Sequence, residues 1–175
     1  FIEKNRIDRS LTGSNMQRQA VPLLMPQPAT VGTGIERDVA KNSGHLILAE
    51  ADGEVVKADA DEVHVKYADG VKIYELRHFV KNNDDRCYNQ KTRVNRGDRV
   101  ERGDVLIEGA SIAEGEIALG RNLLVAFMPW GGYNMDDAVI LSRRLVQDDE
   151  LTSINIKDYN VEVRETKLGP EIVTR

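Results

Sequence analysis

The run Val94-Asn95-Arg96-Gly97-Asp98-Arg99-Val100-Glu101-Arg102-Gly103-Asp104-Val105-Leu106 carries a small internal repeat. Gly-Asp recurs six residues on, with a valine two places after Asp98 and one place after Asp104. Each Gly-Asp can turn the chain between strands of two or three residues. Strands that short cannot support a flat sheet alone, so they imply a compact sandwich or barrel.

Residues 44–110 share this character. Val55-Val56, Val63-His64-Val65 and Val71-Lys72-Ile73 are separated by Asp52-Gly53 and Asp69-Gly70. Asp-Gly between β-formers is a strong hairpin signal. On either side the chain differs. Residues 1–43 are polar and then Pro-rich, and Pro22, Pro26 and Pro28 exclude a helix there and favour an extended path. Residues 111–175 return to longer elements. The apolar run from Leu123 to Met128 is short enough for a buried strand, and Ala138 to Leu141 is a continuous β-leaning run. Ser142 offers an N-cap for a short helix through Val146. Thr152 to Ile156 alternates, with Ile154 and Ile156 on one face, and the alternation returns at Val161 and Val163. The expected fold class is mainly β, with few and short helices.

The chain has 175 residues, 41% hydrophobic and 30% charged, enough for one ordinary domain or a small domain with another inserted. It opens at Phe1 and stops at Thr174-Arg175, so the expectation is an internal piece of a longer polypeptide. No apolar run reaches the length of a membrane span and nothing resembles a signal peptide. The single cysteine, Cys87, permits no internal disulfide and fits a reducing cytoplasm as a small buried hydrophobe. His45, His64 and His78 match no metal-ligand spacing. Net charge is −5, whereas a protein that holds nucleic acid by its global field is usually basic. The charge is uneven. Lys81, Arg86, Lys91, Arg93, Arg96, Arg99 and Arg102 read as a solvated face. Lys4, Arg6, Arg9 and Arg18 sit among Asn, Gln, Gly and Ser, which suit contact with phosphates and bases.

Val31-Gly32-Thr33-Gly34-Ile35-Glu36-Arg37 is not a dinucleotide loop, because its third glycine would fall at Arg37 and prolines precede it. Two other segments invite chemistry. Gly13 to Pro22 packs amides, a guanidinium and a hydroxyl into a few residues. That inventory suits bases, ribose and phosphate, and equally a surface loop. Phe127 to Ala138 ends an apolar run at Pro129, follows with the only Trp and a Gly-Gly turn, and then sets Asp136 beside Asp137. Adjacent carboxylates repel unless cations or donors compensate. The pair reads either as solvated acids on an aromatic-anchored turn or as a metal or nucleic-acid site.

These residues carry a family resemblance. Gly13 to Pro22 resembles, unaltered, the GSNMQRQAVP signature of bacterial RNA polymerase β subunits. In order along the chain, Val31 to Glu36 resembles VGTG-x-E, Cys87 to Gln90 resembles C-x-N-Q, and Gly103 to Leu106 resembles GDVL. Gly120 to Trp130 is similar to GQN-x-x-VAFMPW, Tyr133 to Ile140 to YNFEDAI, and Thr166 to Pro170 to TKLGP. The sequence departs from the usual pattern at Asp136, where Glu is usual, at Met135, where an aromatic is usual, at Arg143, where Glu is common, and at 81–84.

The resemblance implies a double-psi β-barrel region, with residues 1–43 its first part. Residues 44–110 would be an inserted β-barrel sandwich hybrid, and 111–175 the continuation up to a flap. It implies template-directed ribonucleotide addition with two Mg²⁺ ions held mainly by a partner β′ subunit. Arg9 would contact the incoming triphosphate and Gln19 would lie beside the RNA 3′ end. Asp136 would act near the second Mg²⁺ through water, with Asp137 its neighbour. Asn15 and Arg18 would be supporting or nucleic-acid contacts. The implied partners are β′, α subunits, a sigma factor, the DNA template, the RNA product and ribonucleoside triphosphates, at a cytoplasmic, nucleoid-associated location. Val94 to Leu106 also resembles the repeat of biotinyl- or lipoyl-type carriers. A carrier needs a lysine on the hairpin, and none occurs from Arg93 to Met128.

Overall fold

The computed structural model describes residues 2–167 and 169–172, with the side chains of 8–165, 167 and 169–172. Leu168, within the Thr166–Pro170 match, and the side chains of Lys4 and Arg6 lie outside the described residues. In chain order the elements are α1 (Ile2–Gln17), α2 (Glu36–Asn42), β1 (Leu46–Leu48), β2 (Gly53–Ala58), β3 (Glu62–Tyr67), β4 (Gly70–Glu75), β5 (Val80–Lys81), β6 (Cys87–Tyr88), β7 (Lys91–Thr92), β8 (Arg99–Val100), β9 (Val105–Glu108), β10 (Ile112–Ala113), β11 (Glu116–Ile117), α3 (Arg143–Gln147), β12 (Glu165–Thr166) and β13 (Gly169–Pro170). The chain is mainly β, as the short runs between turn residues predict.

Two antiparallel sheets organise the centre. One runs β4-β3-β2-β8 and the other β1-β9-β7. They share a core of Ala49, Val55, Val63, Val65, Tyr74, Val94, Val100, Leu106 and Ile107. Along β3 the period of two sends Val63 and Val65 inward, both fully buried. Each such side chain contributes roughly 1.5–3 kcal/mol relative to leaving it in water. A second cluster of Ala40, Leu46 and Ile112, flanked by Leu48, Val105 and Ile117, packs α2 on the sandwich. Arg37 and Glu116 add an ion pair there, with Nε 2.6 Å from Oε1.

The Gly-Asp repeat forms two equivalent turns. Asp98 N–H donates to the Asn95 carbonyl (3.2 Å) and Asp104 N–H to the Glu101 carbonyl (3.1 Å). Gly97 (φ 91°) and Gly103 (φ 95°) take the third place in each turn, where a side chain would be strained. The Asp98 carboxylate accepts the Asn95 N–H at 2.7 Å and Asp104 that of Glu101 at 2.8 Å.

One of the two Asp-Gly signals is a hairpin. Tyr67 pairs with Gly70, and Ala68-Asp69 forms the tight loop between β3 and β4. Asp52-Gly53 instead carries the chain from one sheet to the other, because β1 pairs with β9 and Gly53 pairs with Val100. Gly53 also lies against β3, where a Cβ would stand 2.6 Å from the Lys66 carbonyl oxygen.

The flanks correct several expectations. Residues 2–17 are a helix, which the reading of 1–43 as polar and then Pro-rich does not include; only scattered apolar residues mark it, and Gly13 argues against it locally. Leu123 to Met128 and Ala138 to Leu141 form no strand. Neither run has a ladder partner among the described residues, and Leu124, Phe127 and Val139 are exposed. Thr152 to Ile156 makes only the isolated bridge Asn155–Arg86, supplemented by Leu24 N–H to Thr152 (2.9 Å), Cys87 N–H to Ile154 (3.2 Å) and Ile156 N–H to Asp85 (2.7 Å). Val161 and Val163 are exposed and outside any strand. Ser142 does cap α3, its hydroxyl accepting from the Arg144 N–H at 3.4 Å. No helix among the described residues is long and apolar enough to cross a membrane.

Candidate functional site

Arg9 and Asn15 project from α1, and Arg18 and Gln19 follow in the turn that ends it, where Gln19 N–H donates to the Met16 carbonyl at 3.0 Å. All four side chains are exposed and none makes a hydrogen bond or ion pair among the described residues. Among the described residues no acid pairs with Arg9, whose guanidinium carries five N–H donors.

The segment after α1 is fixed by backbone-directed side chains. Arg86 Nη1 donates to the Ala20 carbonyl (3.0 Å), Lys91 Nζ to Leu24 (3.0 Å) and Arg121 Nη1 to Met25 (3.0 Å). Gln27 bridges Gly120. The Asn122 amide accepts from the Thr30 N–H (3.1 Å) and donates to the Pro28 carbonyl (2.8 Å). Arg121 also pairs with Glu150. Gly120-Arg121-Asn122 thus ties the Pro-rich path to the third part of the chain.

Cys87 to Gln90 is likewise scaffold. Cys87 is buried and free. Asn89 Oδ1 meets His78 Nδ1 at 3.0 Å. Buried Gln90 accepts the Arg77 N–H through Oε1 (2.7 Å), donates from Nε2 to the Tyr88 hydroxyl (3.1 Å), and gives its own N–H to the Arg77 carbonyl (3.0 Å). A cleft of about 580 Å³ lies beside these residues, between His45, Arg77, Lys81, Tyr88 and Ser111; none of the predicted site residues lines it.

Asp136 and Asp137 sit at the end of three successive turns. Tyr133 N–H donates to Trp130 (3.0 Å), Met135 N–H to Gly132 (3.3 Å) and Ala138 N–H to Met135 (3.2 Å). Gly131, Gly132 and Asp136 all have positive φ, 54° at Asp136. Both carboxylates are exposed, and neither accepts a hydrogen bond nor pairs with a cation among the described residues. The residue the sequence reading passes over is Asn134, whose side chain bonds Trp130 N–H and the Met128 carbonyl. Its signal is an Asn just after Gly-Gly, a residue type that bonds back to its own loop.

The chain joins neither group of predicted residues to the other by a hydrogen bond or ion pair among the described residues. For Mg²⁺, two hard carboxylate oxygens are suitable donors. Among the described residues no three His, Cys, Asp or Glu side chains gather at one point. The donor set therefore fits a contribution to an ion's shell, and not a complete one.

The model of RNA polymerase Rpb2, domain 6, matches residues 48–175. The chain belongs to that family. It is 50% identical over 182 residues to the DNA-directed RNA polymerase subunit beta of Oleidesulfovibrio alaskensis, covering 100% of this chain and 13% of that protein. The subunit beta of Thermosynechococcus vestitus is 51% identical over 176 residues (100% of this chain, 16% of that protein). That of Streptococcus pneumoniae serotype 2 is 50% identical over 176 residues (100% and 15%). The resemblance to bacterial RNA polymerase β subunits therefore holds across the whole chain, which spans about one sixth or less of these relatives' length. Within this family frame, the matched Cys87–Gln90 and Gly120–Asn122 strings serve the scaffold, while the Gly13–Pro22 and Tyr133–Ile140 strings present exposed polar groups.

Proposed function

We propose that this chain is the part of an RNA polymerase β subunit that lends side chains to template-directed ribonucleotide addition. The observation that carries the reading is the full-length match at about half identity to proteins named DNA-directed RNA polymerase subunit beta. Arg9, Asp136 and Asp137 are exposed and unpaired among the described residues, which is what such a shared site needs from one contributor.

In this reading the RNA 3′ hydroxyl attacks the α-phosphate of a nucleotide and pyrophosphate leaves. The Arg9 guanidinium pairs with the triphosphate and neutralises charge that grows on the leaving group. The Gln19 amide orients the RNA 3′ end, and Asn15 and Arg18 hold nucleic acid nearby. Mg²⁺, when bound, supplies Lewis-acid stabilisation at the phosphate oxygens. Asp136 reaches one methylene less far than the usual Glu, so its carboxylate holds the second ion through ordered water, with Asp137 beside it. The partner β′ subunit supplies the main metal ligands, and α subunits and a sigma factor complete the assembly on DNA in the cytoplasm, at the nucleoid. The two central sheets serve as a barrel sandwich hybrid over 44–110, inserted between the 1–43 and 111–175 parts of a double-psi barrel.

The test is Arg9→Ala in the assembled enzyme with single-nucleotide addition as readout. Loss of a charge-assisted phosphate contact raises the apparent KM for nucleotide and slows addition, by roughly 1.5–3 kcal/mol in all. Kinetics equal to wild type would remove Arg9 from the site.

A further inference from the structure

The geometry points to Asn134 as the positioning residue of the acidic turn: its amide sets the backbone that aims Asp136. Asn134 Oδ1 accepts the Trp130 N–H at 2.9 Å, and Nδ2 donates to the Met128 carbonyl at 2.7 Å. These are the only side-chain hydrogen bonds within 128–138 among the described residues. The large side chains of the same loop do not anchor it: Trp130 is 58% exposed, Tyr133 79% and Met135 68%. One half-buried amide therefore links the strandless run ending at Met128 to the turn that begins at Gly132. Asp136 lies two residues after Asn134 with φ 54°, in the left-handed region that Asp tolerates in turns, so the turn's backbone sets where its carboxylate points.

The chemistry requires an amide at 134. One donor and one acceptor are used, on opposite sides of one planar group. A carboxylate would lose the donor and set oxygen against the Met128 carbonyl. An aliphatic side chain would lose both bonds and leave Gly131-Gly132 free to rearrange. Asn134 itself touches neither nucleotide nor ion; it acts through the placement of Asp136, an inference that rests on the reading of Asp136 proposed above.

The experiment uses the assembled polymerase carrying Asn134→Ala, Asp136→Asn, or both. Two readouts are taken. One is the Mg²⁺ concentration giving half-maximal single-nucleotide addition. The other is independent of activity: with Fe²⁺ replacing Mg²⁺, hydroxyl radicals cut backbone near the ion, and end-labelled chain reports cuts within 128–138. Each single variant is expected to raise the Mg²⁺ midpoint about tenfold, the scale of losing a group that orients a metal contact, and to erase the cuts. The double variant should move the midpoint no further than the larger single, because the two residues act in series. An Asn134→Ala enzyme with wild-type midpoint and cuts, beside an altered Asp136→Asn enzyme, overturns the positioning role and leaves Asp136 standing. Fully additive shifts overturn it as well. An unaltered Asp136→Asn enzyme sinks the reading of Asp136 and this inference with it. If Asn134→Ala does not assemble, Asn134→Ser, which keeps one hydroxyl acceptor, takes its place with the same criteria.

Discussion

Ala49 and Val55 stand six residues apart, and each exchanges a pair of backbone hydrogen bonds with its own Gly-Asp turn. Gly103 N–H donates to Ala49 (2.9 Å) and Ala49 N–H to Asp104 (2.8 Å); Gly97 N–H donates to Val55 (2.8 Å) and Val55 N–H to Asp98 (2.9 Å). The six-residue repeat at 97–104 is thus matched by a six-residue spacing on the facing segment. Both facing residues are buried, so each turn closes over the core.

This arrangement predicts different costs for two glycines. A Cβ on Gly103 meets open space, so Gly103→Ala strains only the positive φ, at about 1–2 kcal/mol. Gly53→Ala drives a Cβ against the Lys66 carbonyl and the Tyr67 ring, and the sheet must shift to admit it. Overpacking costs roughly 1–3 kcal/mol and occasionally more, and a clash with backbone puts Gly53→Ala at the upper end, above Gly103→Ala. Urea unfolding midpoints of the two variants check the order; equal midpoints would mean that β2 and β3 are not packed as described.

The contrast with the flanks shows what a sequence can carry. The turns at Asp69-Gly70, Gly97-Asp98 and Gly103-Asp104 are legible because their chemistry is local. The pairing of Leu46 with Glu108 is not, since nothing at either position marks the other. Leu123 to Met128 looks like a strand because it is a short continuous apolar run, yet a strand exists only with an edge to pair on. For the site, the family resemblance implies roles for Arg9, Gln19, Asp136 and Asp137. It implies none for Asn134, although the Tyr133–Ile140 string contains it, because an amide that bonds its own backbone looks like any loop Asn.

Gln90 carries a prediction about buried amides. Gln90→Leu keeps the volume but strands the Arg77 N–H, which Oε1 now satisfies, and the Tyr88 hydroxyl loses a donor. The expected loss is about 1–3 kcal/mol in thermal unfolding. Hydrogen exchange at the Arg77 amide should quicken in the same variant. An unchanged exchange rate there would show that Gln90 does not hold it.

Tyr74 should ionise above the ordinary tyrosine range. Burial pushes its phenol well above the usual range, and the Tyr67 hydroxyl 2.9 Å away adds to the shift. A folded-state value raised above the unfolded one means stability complete below the ordinary value of 10.0 and lost as pH climbs past it. Tyr74→Phe should flatten that alkaline loss, and ultraviolet titration should show one fewer late-ionising phenol. A wild-type alkaline profile in the variant would clear Tyr74 of the linkage.

Glu36 contributes to the acid side of the stability profile, as do Asp59 and Glu62, whose carboxyls are also held low. Its carboxylate accepts the Thr33 N–H at 2.6 Å, the Thr33 hydroxyl at 2.9 Å and the Gly34 N–H at 2.7 Å. The backbone N–H of Thr33 is the strongest influence, and together the donors hold the group at about 2, down from 4.5. A depressed folded value means that the contribution is complete above 4.5 and drains away as pH falls from there through about 2. The loop closed in this way leads into α2, whose Ala40 belongs to the second core cluster. Glu36→Gln keeps one carbonyl acceptor and removes the charge, so it should melt below wild type near neutral pH. The gap between the two melting temperatures should narrow steadily below pH 4.5 and close near pH 2. A gap that stays constant across that range would mean the carboxylate is not linked to folding, and that the Thr33–Glu36 closure is held by the backbone alone.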